Sequence, residues 1–186
     1  MKNLKITFLI TLLLSPLTSY ADAYFFIAAG NSELDEPGFE DDSALKIGFG
    51  NQISDGLAFE FSSLDLGEFE ATPAALAEIS AFVGETVTGA SVEITGLDFS
   101  LLGIAPVNDT VSFRGRIGLY LWDAEVDVSV AGFGSGSVSD DGNDIGFGFG
   151  LAFDLSENAA LTFMYDQYEA FDADIELLNA GIKIGF

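Results

Sequence analysis

The segment Ile145–Leu155 reads IGFGFGLAFDL. Its odd positions carry Ile, Phe, Phe, Leu, Phe and Leu, and its even positions carry Gly, Gly, Gly, Ala and Asp. A period of two marks a β-strand, whose successive side chains point to opposite faces. The polarity of the alternation decides more than the period. A soluble barrel fills its inside with the large side chains. Here one face is bulky and apolar and the other is tiny or charged. The bulky face therefore turns outward to lipid, and the small face lines a crowded lumen.

The pattern recurs along the chain, near Tyr24–Gly30, Ala44–Gly50, Leu57–Leu66, Val92–Ile104, Val111–Trp122, Asp144–Leu155, Ala159–Tyr168 and Ile175–Phe186. Most of these runs approach the roughly 9–11 residues that a tilted strand needs to cross the hydrocarbon. The connections alternate. Asn51–Gly56, Ala105–Thr110 and Ser156–Asn158 are short and turn-like, whereas Asn31–Ser43, Gly67–Ser91 and Asp123–Asn143 are long and acidic, with a shorter one at Glu169–Asp174. This predicts an all-β fold: an eight-stranded antiparallel transmembrane up-and-down β-barrel, with long acidic extracellular loops and short periplasmic turns. An even strand count puts both termini in the periplasm.

The composition agrees. The 186 residues include 30 acids against 6 bases, a formal charge of −24, with 18 Phe, 21 Gly and neither His nor Cys. So many aromatics argue against an acidic disordered chain. The lack of a basic stripe argues against nucleic acid as a partner. Without Cys there are no disulfides or thiolate zinc sites, and without His the commonest general base and metal ligand are gone. No cofactor is implied. The first residues read as a leader: Lys2 and Lys5 precede the apolar run Ile6–Leu14, and small residues flank Tyr20 up to Ala21. Residues 1–21 are expected to be a signal peptide, with cleavage after Ala23 as the alternative, and residues 22–186 the barrel.

Removing the leader leaves four cations, Lys46, Arg114, Arg116 and Lys183. The last three alternate with apolar residues in strongly apolar runs, VSFRGRIGLYLW (Val111–Trp122) and GIKIGF (Gly181–Phe186). Strand parity places all four on the glycine-rich face, hence in the lumen. The same projection puts Glu60, Asp98, Asp154 and Asp166 there. Unpaired charge in a poorly hydrated lumen is costly, so these eight residues are expected to neutralise one another as an interior salt-bridge plug. The functional alternative is a charged constriction that passes ions. Aromatics near strand ends (Tyr24, Phe25, Phe26, Tyr120, Trp122, Tyr165, Tyr168 and Phe186) are expected in interfacial girdles.

These residues resemble a family. RIGLYLWDAE (Arg116–Glu125), DIGFGFGLAFDLSENAALTFMYDQY (Asp144–Tyr168) and IELLNAGIKIGF (Ile175–Phe186) are similar to the fifth strand, the sixth and seventh strands, and the closing strand of the OmpA-like family of small eight-stranded outer-membrane barrels. The resemblance implies residence in the outer membrane of a Gram-negative envelope, in contact with outer-membrane lipid and lipopolysaccharide. It also implies biogenesis by the barrel-assembly machinery, with Phe186 at the position of the terminal aromatic assembly signal. The sequence stops at Phe186, so the cell-wall-binding domain of larger relatives, and the anchoring it provides, are not implied.

Two features lie off the strands. Thr72–Gly84 (TPAALAEISAFVG) has a capping Thr, a Pro at the first helical position, and Leu76, Ile79 and Val83 on one face, which predicts a short helix over the barrel mouth. The loops Glu33–Asp42 and Ser139–Asp144 are rich in carboxylates. They offer oxygen ligands for weak divalent cation binding, although their spacing matches no twelve-residue calcium loop.

Three functions compete: a non-enzymatic monomeric barrel supporting envelope structure or surface interaction, a narrow channel for ions or small apolar solutes, and a soluble lipocalin-like carrier. Catalysis is not expected, because the inward carboxylates already have a role as ion-pair partners.

Overall fold

A computed structural model describes residues 22–186; the leader expected at residues 1–21 lies outside them. The described chain runs β1 (Asp22–Leu34), β2 (Asp42–Ser54), β3 (Leu57–Glu70), α1 (Pro73–Val83), β4 (Val87–Pro106), β5 (Val111–Val130), β6 (Gly134–Ser156), β7 (Ala159–Ala170) and β8 (Ala173–Gly185). The strands form one closed antiparallel barrel in sequence order. Pairing of β8 with β1, from Tyr24 opposite Gly185 to Leu34 opposite Ile175, closes it. Closure leaves no free edge in this region, as a sheet surrounded by lipid requires.

The parity read from the sequence is the parity of the structure. Ile47, Phe49, Leu101, Phe113, Ile117, Leu119, Phe147, Phe149, Leu151 and Phe163 are exposed on the outer face. Directly paired aromatics strengthen this apolar belt: Phe25 meets Phe49 and Phe61 meets Phe99, with ring centroids 5.4 and 4.7 Å apart. Such a belt is the reverse of a soluble carrier's surface. Gly48, Gly146 and Gly148 face inward against Phe26, Tyr168 and Asp166, where any side chain would collide.

One end is made of tight turns, at 55–56, 107–110 and 157–158. The other, the loop end, carries the connections 35–41, 71–86, 131–133 and 171–172. Two of these differ from the sequence reading. Asp123–Asn143, expected as a loop, is a continuation of β5 and β6 joined by three residues, and Glu169–Asp174 shrinks to a two-residue turn. The reason is visible in β5. Up to Leu121 the outward residues are apolar. From Asp123 the outward residues are Asp123, Glu125 and Asp127, while Ala124, Val126 and Val128 turn inward. The strand continues, and its alternation inverts where the outer face leaves the apolar belt.

In β3 a bulge achieves a similar change. The register with β4 shifts between Asp65 and Glu68, at Gly67 with φ +97°. That conformation favours glycine, and the extra residue resets the parity so that Phe69 points inward and is fully buried. Helix α1 forms as its capping residues direct. The Thr72 hydroxyl accepts from the Ala75 amide at 3.3 Å, and Gly84 ends the helix at φ 77°. It packs on β4 with Leu76 and Ile79 half-buried, while Val83 and Phe82 are exposed. The Ser80 hydroxyl accepts from the Val87 amide at 2.9 Å, tying the helix to the strand that follows.

Candidate functional site in the barrel lumen

The lumen is filled in three layers. At the loop end lies an apolar core of Leu64, Leu66, Phe69, Ile94, Tyr120, Trp122, Tyr168, Ile175 and Leu177 with three alanines. At the turn end lies a smaller cluster of Tyr24, Phe26, Ala58 and Leu102. Between them is a charged belt.

Arg116 is the centre of the belt. Its Nη1 donates to Asp98 Oδ2 at 2.5 Å and its Nε to Asp166 Oδ1 at 2.6 Å. Lys46 reaches the other oxygen of Asp166 at 3.4 Å and donates to the Tyr168 hydroxyl at 3.1 Å. Asn179 donates to the same Asp166 oxygen at 3.0 Å, and Ser100 to Asp98 at 3.1 Å. The Arg116 guanidinium also lies 4.9 Å from the Tyr168 ring centre. All these groups are buried. Charge-assisted bonds in such surroundings are stronger than in water, and a planar guanidinium can serve two carboxylates at once.

The remaining members of the expected set behave differently. Glu60 accepts from the Tyr24 hydroxyl at 2.7 Å. Arg114 is 4 % exposed, yet it makes no ion pair or hydrogen bond with any described residue, and its Nε is buried without a partner. Arg114 thus touches no carboxylate directly; Glu60, which accepts from Tyr24, lines the same cavity. Lys183 is half-buried with its ammonium 4.9 Å from the Tyr24 ring centre. Asp154 is not in the lumen belt. It lies beyond Ala152, the last buried residue of β6, at the turn-end rim where the β6–β7 register breaks, and it is exposed. Phe186, expected as an assembly signal, is exposed just past β8.

Five aromatics expected in girdles are lumen residues instead. Tyr24, Phe26, Tyr120, Trp122 and Tyr168 are all buried, because each shares the parity of the glycine-rich face. Asn179 was legible by the same rule, standing on the face of β8 that carries Gly181 and Lys183. Among the described residues no group of three or more acids is gathered to hold a metal ion.

The enclosed space beside the belt is small. A cavity of about 40 Å³, lined by Arg114, Glu60, Tyr24, Lys46, Met164 and Lys183 among others, has room for a few water molecules. A wider vestibule of about 330 Å³ at the turn end shares Tyr24 and Lys183 with it.

The profile of the outer membrane protein beta-barrel domain matches residues 11–186. No curated protein sequence matches the chain. Among solved structures, the chain is similar to Ail, the attachment invasion locus protein of Yersinia pestis, at 15 % identity and a TM-score of 0.59, covering 90 % of this chain and 100 % of that one. It is similar to the neisserial surface protein A at 14 % identity and a TM-score of 0.61, with the same coverages. OprG of Pseudomonas aeruginosa matches at 13 % identity and a TM-score of 0.51, covering 88 % of this chain and 95 % of that one.

Proposed function

The chain belongs to the outer membrane protein beta-barrel domain family, and from that premise we propose that it is a non-enzymatic, closed barrel whose work is done at the envelope surface. The lumen filling carries this reading: an apolar core, an ion-paired belt and an aromatic cluster stand in series. Eight strands leave an interior just wide enough for side chains, and those present leave about 40 Å³ beside the belt. The carboxylates that catalysis would need are held by Arg116, Lys46 and Tyr24.

The surface available for interaction is acidic. The β1–β2 connection carries Asp35, Glu36, Glu40 and Asp41, and the outward face of the β4–β5–β6 extension carries Glu93, Asp123, Glu125, Asp127 and Asp141. With the tight turns and both termini in the periplasm, these acids stand outside the cell, above the lipopolysaccharide-bearing leaflet, where counter-cations screen them.

The test is single-channel recording. The mature chain, refolded in detergent and inserted in a planar bilayer, should give no steady current. A steady wild-type current that changes when Arg116 is replaced would overturn the closed reading in favour of a channel.

A further inference from the structure

We propose that the open edge of β6, over Gly134–Asn143, takes an added strand from an extended peptide whose residues alternate basic and apolar. This rests on the reading of the chain as a barrel that works at the envelope surface, and its own test does not depend on conduction.

The edge is the first observation. β6 pairs with β5 from Gly134 to Phe153 without a break in register. Its ladder with β7 runs only from Phe147 to Ser156, and β7 ends at Ala170. The far side of Gly134–Asn143 therefore meets no described strand. The Asp141 amide turns instead to the side chain of its neighbour, donating to Asp140 Oδ1 at 3.0 Å. Native sheets blunt such edges with Lys, Pro, a bulge or a cover, and this segment, GSGSVSDDGN, has neither Lys nor Pro. The opposite edge of the same extension is covered. There the Ala90 carbonyl of β4 accepts from the Ala71 amide at 2.8 Å, and the Val87 amide donates to the Ser80 hydroxyl at 2.9 Å.

The two faces of the extension specify the occupant. On the inward face Val92, Val126 and Val138 form one row across three strands, and the row stops at the open edge with Val138 72 % exposed. On the outward face Glu93 and Glu125 stand in line with Ser139, and Asp127 with Ser137. A groove of about 270 Å³, lined by Glu93, Asp123, Glu125 and Ser139 among others, lies over this row. The small serines of β6 leave the β5 carboxylates open towards the edge. An added strand lies two strand spacings from β5, roughly 10 Å, which a long cationic side chain laid across Ser137 or Ser139 spans together with the carboxylate stem. No cation of the mature chain stands at the loop end: Lys46, Arg114 and Arg116 are buried in the lumen and Lys183 lines the turn-end vestibule. A second copy of this chain would bring like charge to the same face. The occupant is thus held by main-chain hydrogen bonds and selected by alternate side chains, apolar beside Val138 and basic over Ser137 and Ser139.

The mature chain in phosphatidylcholine nanodiscs, which offer no anionic lipid, is titrated with a fluorescent peptide of alternating Lys and Val. Saturable binding is expected at low salt, with slowed amide exchange in Gly134–Asn143. No binding, or protection only elsewhere, overturns the proposal. The same peptide with every backbone amide methylated keeps its charge and loses its donors. Equal binding of that peptide would mean charge attraction alone and would sink the added strand. A peptide of the same composition with Lys and Val in separate blocks should also bind more weakly, and equal affinity refutes the alternation. Glu125→Gln combined with Asp127→Asn removes two opposite-charge pairs and should weaken binding about tenfold; an unchanged affinity counts against the outward contacts. A conducting barrel whose β6 edge the peptide still protects would refute the closed lumen and leave the edge site standing.

Discussion

Phe171 packs on Trp122 with ring centroids 4.7 Å apart, from a backbone φ of 55°. Phe171 and Asp172 are the two central residues of the β7–β8 turn and both have positive φ, as a type I′ turn requires and as the Phe171 side chain disfavours. The ring's contact with Trp122 offsets that strain and ties this turn to β5. Trp122 is the only tryptophan, so its fluorescence reports on the loop-end core. Phe171→Ala should raise its quenching by aqueous acrylamide. Asp172→Gly, which keeps the ring and relaxes the backbone, should leave quenching unchanged. Equal quenching in wild type and Phe171→Ala would refute the tie.

Arg116 bridges two buried carboxylates. Removing one partner of a buried ionic group leaves uncompensated charge at a penalty of about 3–5 kcal/mol. Arg116→Met should lose that much in urea unfolding. Adding Asp98→Asn and Asp166→Asn should recover a large part of it. No recovery in the triple variant would mean that packing, not charge, was lost.

A methyl added at Gly148 would collide with the Asp166 carboxylate and press on the Tyr165 carbonyl at 2.8 Å, whereas one added at Gly136 meets nothing within 4 Å. Gly148→Ala should therefore cost about 1–3 kcal/mol by overpacking. Gly136→Ala should be neutral or slightly stabilising. Urea midpoints of the two variants make the comparison.

Asp123 stands directly opposite Asp141, and Glu93 opposite both Glu68 and Glu125. Like charges facing across strands destabilise a sheet by about 0.2–1 kcal/mol. Asp123→Asn should slow amide exchange in the β5–β6 extension at low salt. The difference should vanish near 1 M salt, where the screening length is about 3 Å.

Asp42 sits at the loop end and accepts from the Glu68 and Ser43 amides, both at 2.7 Å. These bonds favour the charged carboxylate and hold its pKa below the ordinary 3.8. A lowered folded-state pKa means that the contribution is complete above 3.8 and is lost as pH falls through the lower folded value. In an NMR titration the Ser43 and Glu68 amide signals should move together, with a midpoint below 3.8. A midpoint at or above that value would contradict the arrangement.

The barrel was legible in the sequence because Ile145–Leu155 states both a period and a polarity, and the parity it fixes assigned Arg116, Asp98, Asp166 and Lys46 to one face. Parity names a face and gives no contact. It could not separate Arg116, which meets two carboxylates, from Arg114, which meets none, since that depends on side-chain reach across the lumen. Nor did it separate Asp154 from the belt, because depth along a strand decides exposure. The β5–β6 extension does not read as a membrane strand, because from Asp123 onward acids take the outward positions that apolar residues hold in the belt.

That inversion at Leu121 and Asp123 also sets a height. The sheet does not stop where the apolar belt stops, and eight further residues, Asp123–Val130, remain paired with β6 up to the turn. At about 3.4 Å per residue they extend roughly 27 Å along the strand. The hairpin tip, with Phe133 78 % exposed, is thus held away from the lipid on a mast of continuous sheet. Its position is fixed by the register of the barrel below, so anything that tilts the barrel in the bilayer swings the tip with it.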